Sequence, residues 1–374
     1  MKLFKIIVGG AIALGLLVEL VIRLAFPVPM EPGATILLSN EIPGLKSSIR
    51  FEYDEDQLRK HHWSKGRQSD NLRVLCFGGN ATTSIIQRSE DTWWGVLAGE
   101  LEERTGKKVE VAALAHSKGG QILPALWKAE SVLAKYDVDL VICCFGFGDA
   151  MGFYGDYSYD PGKLERMRDS KPSGFKYSLA KASHVLRIIR NGRTKKFLRS
   201  THERFAEHNF LKKQLLLRRN YWANLPLREG IIRTMRKGDD PLREYIDGLR
   251  GFISLAKKSG AQLIVMEEPT IYAAEPSDHK DNLMAPIFFT SKPDSGDGYQ
   301  VSSLAVAQEL QRFFDAGRNE CMNAGVLWLS SEAEPMPVSE NYASETYLTD
   351  KGARALAFGI ITPVLRAIDD REDL

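Results

Sequence analysis

The sequence predicts an α/β protein, a parallel sheet covered by helices on both faces in a three-layer α/β/α sandwich. Short, continuously apolar runs recur between residues 73 and 329, and a longer stretch with apolar residues at helical spacing follows each one. Strands buried on both faces read as unbroken apolar runs, whereas strands of a one-sided sheet alternate. Length points the same way: 374 residues, 44% of them hydrophobic, can bury one large core with an elaboration.

The first unit is residues 1–26. Lys2 and Lys5 precede a run from Ile6 to Phe26 that is apolar except for Glu19 and Arg23. Roughly 20 apolar residues cross a bilayer as a helix, and Glu19 and Arg23, one helical turn apart, share a face and can pair. Positive charge ahead of the span favours a cytoplasmic N-terminus. The expectation is a single-pass membrane protein whose body is periplasmic or otherwise extracytoplasmic. A cleaved signal peptide is the alternative. No small-x-small site follows the run, and Pro27, Pro29 and Pro32 come instead, so the segment reads as an uncleaved anchor. Residues 27–70, with few periodic runs and many charged or turn residues, read as a neck.

The domain proper spans residues 71–368. Its strand-like runs are Arg73–Phe77, Val109–Leu114, Leu140–Phe145, Gln262–Met266 and Val326–Leu329. The helical stretches are Thr92–Arg104, Gln121–Lys135, Leu242–Lys258, Ser303–Ala324 and Asp350–Ile368. Residues 151–240 interrupt the alternation with an aromatic, Gly-rich piece, GFYGDYSYDPG, and then basic helical stretches. From Lys171 to Lys237 there are 18 Lys/Arg against 3 acidic residues, so the +2 net charge hides a strongly basic insertion in an acidic remainder. Residues 369–374 form an acidic tail. Of the four cysteines, Cys76, Cys143 and Cys144 fall in strands and Cys321 on a helix. No C-x-x-C pattern accompanies them, so they read as small buried hydrophobes. A bridge from Cys76 to Cys143 or Cys144 is conceivable if the first and third strands are neighbours.

Three segments carry the chemistry. Arg73–Thr83 reads RVLCFGGNATT, a strand running into a Gly-Gly turn. Asp139–Ala150 reads DLVICCFGFGDA, a second strand ending in a Gly-rich loop. Ser344–Gly352 reads SETYLTDKG and opens the last helix. Together they resemble the SGNH/GDSL hydrolase superfamily of esterases, lipases and acyltransferases. In that family the first loop carries a nucleophilic Ser after Gly-Gly or Gly-Asp, the second reads G-x-N-D, and the third D-x-x-H-L-T-x-x-G. The resemblance implies a five-stranded parallel sheet in the order 2-1-3-4-5, with ligands bound outside the strand C-termini where strand order reverses. It also implies that the standard reagents are gone. Asn80 stands for the nucleophile, Gly148 for the oxyanion-hole Asn, Ser344 for the Asp and Tyr347 for the His.

An ester-cleaving site needs a nucleophile, a base and oxyanion donors. The amide of Asn80 is neither basic nor appreciably nucleophilic, and the phenol of Tyr347 takes up protons poorly at neutral pH. Substitutes within reach of the pattern are Glu345 for the carboxylate and Ser84 for the hydroxyl, beside Thr82 and Thr83. Ser117, in VAALAHSKGG, sits between a strand and a helix much as in the G-x-S-x-G elbow of α/β-hydrolases. His184, His202, His208 and His279 are the imidazoles that could follow it. Gly79, Asn80, Gly119, Asp149 and Glu268 are the candidate cleft residues; Gly119 offers a backbone N–H, Asp149 a loop brace, and Glu268, beside Glu267, closes the fourth strand. His61 and His62 fall in the neck, where an exposed imidazole is ordinary. No metal-ligand spacing or phosphate-cradling glycine motif is present, and no cofactor is expected.

The reading that follows is a membrane-anchored, extracytoplasmic, SGNH-like protein that no longer hydrolyses esters and serves as a binding, accessory or scaffold component at the cell envelope. Its expected partners are the membrane through the N-terminal helix, anionic lipid or glycan through the basic insertion, and a membrane protein; the compartment disfavours nucleic acid. The alternative is an esterase, O-acyltransferase or deacetylase acting on cell-envelope glycan or lipid through a rearranged site.

Overall fold

The computed structural model describes residues 70–84, 86–114, 120–151, 240–272, 303–331, 341–342 and 346–372, parts of 54–66, Gly15, and short strands at 36–38, 49–51, 227–228, 287–289 and 298–301. The regular elements are, in chain order, β1 (Ile36–Leu38), β2 (Ile49–Phe51), β3 (Leu58–His61), β4 (Leu72–Gly78), α1 (Asn80–Thr83), α2 (Trp93–Thr105), β5 (Val109–Leu114), α3 (Ile122–Leu133), β6 (Leu140–Phe145), α4 (Phe147–Met151), β7 (Leu227–Arg228), α5 (Pro241–Ser259), β8 (Gln262–Glu267), β9 (Ile287–Phe289), β10 (Gly298–Val301), α6 (Ser303–Ala324), β11 (Leu327–Leu329) and α7 (Asp350–Glu372).

The main sheet runs β11-β8-β6-β4-β5-β3. Its first five strands are parallel and, numbered by sequence, follow the order 2-1-3-4-5 from the β5 end. The sheet has six strands rather than the five expected. The sixth is β3, antiparallel to β5 with Leu58 opposite Leu114 and His61 opposite Val111. The boundary of the neck at residue 70 therefore needs correction, because Leu58–His61 belong to the sheet. An antiparallel edge strand needs no helical crossover and covers the free edge of β5. Its charged sequence, LRKH, concealed it. Two smaller sheets accompany the large one, β1 paired with β2 and β7-β10-β9.

Every residue of β4, β5 and β6 is buried, which requires cover on both faces of the sheet. The cover comes in two helix groups: α3 and α6 both pack on α5, and α2 packs on α7. Local sequence fixes the helix ends. Thr92 Oγ1 accepts the Gly95 N–H at 3.1 Å to open α2. Asp240 accepts the Arg243 N–H at 3.2 Å ahead of Pro241 to open α5. Helices α5 and α3 approach closely because Gly248 and Gly251 present no side chain; a Cβ there would run into Ile122 and Leu126 respectively. Trp93, Trp94, Phe77, Phe145, Phe252 and Phe313 are among the large fully buried side chains of the resulting core. The polar residues of β4 and β5 answer one another: Arg73 Nε lies 2.7 Å from Glu110 Oε2, and Asn71 Nδ2 donates to Glu110 Oε1 at 2.8 Å.

The last helix continues through Glu372, so most of the acidic tail expected from residue 369 is helical. All four cysteines are free and buried; Cys76 lies opposite Ile142 across the β4–β6 pair and forms no bridge with Cys143 or Cys144. The expected anchor at 1–26, Gly15 apart, and nearly all of the basic insertion at 151–240 lie outside the described residues. Among the described residues no helix is long and apolar enough to cross a membrane.

Candidate functional site

Three turns meet at the C-terminal ends of the central strands. The first follows β4, where the Gly79 N–H donates to the Cys144 carbonyl at 3.0 Å and the chain turns at once into α1. The second follows β6, with Phe147 and Gly148 opening α4. The third carries Gly120, held at φ +69°, a conformation that favours glycine. A Cβ on Gly120 would stand 3.2 Å from the Gly79 Cα, 3.8 Å from the Asn80 nitrogen and 3.8 Å from the Gly148 Cα. Gly120 therefore stands against the turns after β4 and β6. Gly119, the expected cleft residue, lies with Ser117 in the loop 115–119 outside the described residues.

Tyr347 comes to the same place from the segment before α7. Its Oη lies 3.5 Å from Asn80 Oδ1, and both residues are half-buried. The two positions that the resemblance pairs as nucleophile and base are therefore neighbours here, occupied by an amide and a phenol. Ser344 and Glu345 fall outside the described residues.

The floor of the crevice is a carboxyl group. Glu268, 1% exposed, accepts the Phe147 N–H on Oε2 at 3.0 Å. The backbone N–H groups of Ala81, Gly148 and Asn80 lie near enough to favour its charged form as well. It lies so close beneath the first turn that a Cβ on Gly79 would collide with it. Burial pushes this carboxyl up to about 8, against the opposing pull of those N–H groups. Glu267, one residue earlier, faces away from the crevice and is saturated. Its Oε1 accepts from Arg318 Nη2 and Trp328 Nε1, each at 3.0 Å, and its Oε2 from Ser330 Oγ at 2.9 Å.

Asp149 braces rather than reacts. Its Oδ1 accepts the Ile122 N–H at 2.9 Å, joining the start of α3 to α4. Burial holds its carboxyl well above the ordinary carboxylate range, partly offset by that N–H and reinforced by the nearby Glu268. Among the hydroxyl candidates, Thr82, Thr83 and Ser84 are all buried. Ser84 closes α1 at φ +44° and turns its Oγ onto Gln87 Oε1. His61 and His62 lie with their ring centroids 4.0 Å apart. The antiparallel register sets His61 opposite Val111, towards the N-terminal end of β5 and away from the crevice. Among the described residues no imidazole stands at the strand C-termini.

Sequence reasoning missed three residues that position the site. Arg59 of β3 is fully buried. Its Nη1 donates to the Thr83 and Ser84 carbonyls and its Nη2 to the Gln87 carbonyl, all at 2.8 Å. These include carbonyls that a helix end leaves without intrahelical partners. Trp94 Nε1 takes another, the Thr82 carbonyl, at 2.9 Å, and the Arg59 guanidinium lies 5.6 Å over the Trp94 ring. Gln87 Nε2 then donates to Asp91 O at 3.1 Å and to Asp350 Oδ1 at 3.2 Å. The turn bearing Asn80 is in this way tied to the helix that follows Tyr347. No sequence pattern announces a buried arginine in a charged edge strand.

The five parallel strands, their order and the nearness of the turns after β4 and β6 match what the resemblance implies. No family model matches the chain, and no curated protein matches it in sequence. Solved structures with a similar backbone include the acetyl xylan esterase AlAXEase, at TM-score 0.41 and 11% identity, covering 78% of this chain and 100% of that one. An acetylxylan esterase from Geobacillus stearothermophilus aligns at TM-score 0.38 and 11% identity, over 80% of this chain and 96% of its own. An inhibitor-bound aryl esterase from M. smegmatis aligns at TM-score 0.40 and 12% identity, over 79% and 99%.

Proposed function

We propose that this protein is a membrane-anchored, extracytoplasmic binding component of the cell envelope, which holds a ligand at an SGNH-like crevice without cleaving it. The observation that supports this best is the phenol of Tyr347 at 3.5 Å from the amide oxygen of Asn80. Hydrolysis at that spot requires an activated hydroxyl and a group that accepts its proton. Removing a triad costs on the order of a million-fold in rate, and here the side-chain donor of the oxyanion hole is missing as well, replaced by Gly148. An amide and a phenol together offer donors and acceptors suited to the hydroxyl groups of a glycan. The N-terminal span and the basic segment from Lys171 to Lys237 favour work beside an anionic surface, with lipid headgroups, an anionic glycan or a membrane protein as partners.

The test is fluorophosphonate labelling combined with p-nitrophenyl acetate turnover on the domain without its anchor. The expected result is no labelled residue and no turnover above the uncatalysed rate. Pull-down with cell-envelope glycan should retain the domain, and Tyr347→Phe with Asn80→Ala should weaken that retention. A labelled Ser84 or Ser117, with activity lost on its change to Ala, would reject the proposal in favour of an esterase, O-acyltransferase or deacetylase with a rearranged site.

A further inference from the structure

The backbone N–H groups at the head of the crevice already have an acceptor. Phe147, from the turn after β6, donates its N–H to the carboxyl of Glu268 at 3.0 Å, the N–H groups of Gly148, Asn80 and Ala81 lie near enough to favour its charged form, and the carboxyl, arriving from the end of β8, sits against Gly79 of the turn after β4. Buried polar groups are costly unless paired. Two chain reversals from neighbouring strands therefore depend on one side chain from a third. The fit is close on every side. Gly79 has no room for a Cβ above the carboxyl, Gly148 presents only its backbone, and the exposure of Glu268 is 1%.

Backbone N–H groups beside a nucleophile position are the usual stabilisers of an acyl oxyanion. We infer that Glu268 is a positioning residue, the resident acceptor of this donor set, which locks the two turns together and closes the crevice to carboxylates, phosphates and acyl oxyanions from outside. The inference deepens the binding proposal by specifying the ligand class. A ligand at this crevice is neutral or cationic and meets the rim formed by Asn80 and Tyr347. It also implies that restoring the Ser, Asn, Asp and His of the family pattern leaves hydrolysis crippled while Glu268 stays in place.

The experiment is chemical replacement of the side chain. The Glu268→Ala domain, melted in sodium formate or acetate and in sodium chloride at equal ionic strength, should start from a lowered melting temperature. It should regain part of the loss saturably with formate or acetate only, and the wild-type protein should show no carboxylate-specific shift. Equal responses to chloride and formate in the variant, or a formate-specific shift in the wild type, would overturn the inference. If Glu268→Ala does not fold, amide exchange in the isosteric Glu268→Gln protein decides instead. Faster exchange at Asn80, Ala81, Phe147 and Gly148 together is expected, and acceleration in one turn alone, or in neither, refutes the lock. These readouts do not involve ester turnover or glycan retention. The binding proposal can therefore fail while this inference stands, and the reverse holds too.

Discussion

The chemistry of single side chains sets the sign of the effects to be expected at Glu268. Its carboxyl has an ordinary value of 4.5, raised in the folded protein to about 8 by burial. Between those values the folded state holds a proton that the unfolded chain has released. Its contribution to stability is therefore fully present below the lower value and is lost as pH rises through the upper one. The amide of a Glu268→Gln variant cannot titrate. Urea denaturation of both proteins from pH 4 to 9 should show the wild type losing stability relative to the variant across that interval and levelling above it. A difference that stays flat, or widens in the wild type's favour with rising pH, rejects the assignment. Asn80 and Tyr347 were legible from sequence because their flanking residues, FGGNATT and LTDKG, keep a recognisable frame. Glu268 was legible only as an acid at a strand end. Nothing in MEEPT distinguishes it from Glu267, whose partners Arg318, Trp328 and Ser330 lie far along the chain.

Among the elements, β3 and α1 have the clearest consequence for the site. α1 is only four residues long and could not persist alone, because a helix this short has too few internal bonds to offset its nucleation. It is held from outside by Arg59 and Trp94. Replacing Arg59 with Met would keep the stem and remove the donors to three buried carbonyls. Each unsatisfied buried acceptor costs about 1–3 kcal/mol, so a loss of about 3 kcal/mol or more in urea unfolding is expected. A loss below about 1 kcal/mol would show that other groups or water take the carbonyls. The parallel strands and long helices were readable from periodicity, since an apolar run or a helical stripe carries its own burial pattern. The β3 strand was not, because its side chains offset the cost of burial through contacts outside their own segment.

Taken whole, the molecule combines a body built on a mainly parallel α/β sheet with two segments whose roles rest on charge and hydropathy: the N-terminal apolar run and the basic insertion. If the insertion meets an anionic surface, the anchorless domain should float with vesicles containing anionic lipid at low salt and be released as salt rises, since screening shortens the reach of each charge. Equal flotation with neutral vesicles, or none with either, would count against it. The sequence by itself determined the alternation of strands and helices, the turns after β4 and β6, and the amide of Asn80 and phenol of Tyr347. These are properties of short windows, in which neighbouring residues share one burial or turn requirement. The tertiary structure alone decided the sixth strand, the approach of Gly120 to Gly79, the clamp from Arg59 and the seating of Glu268 beneath Gly79. Each of those depends on which distant backbone groups are left without a partner, and only the folded chain brings such groups within hydrogen-bonding distance.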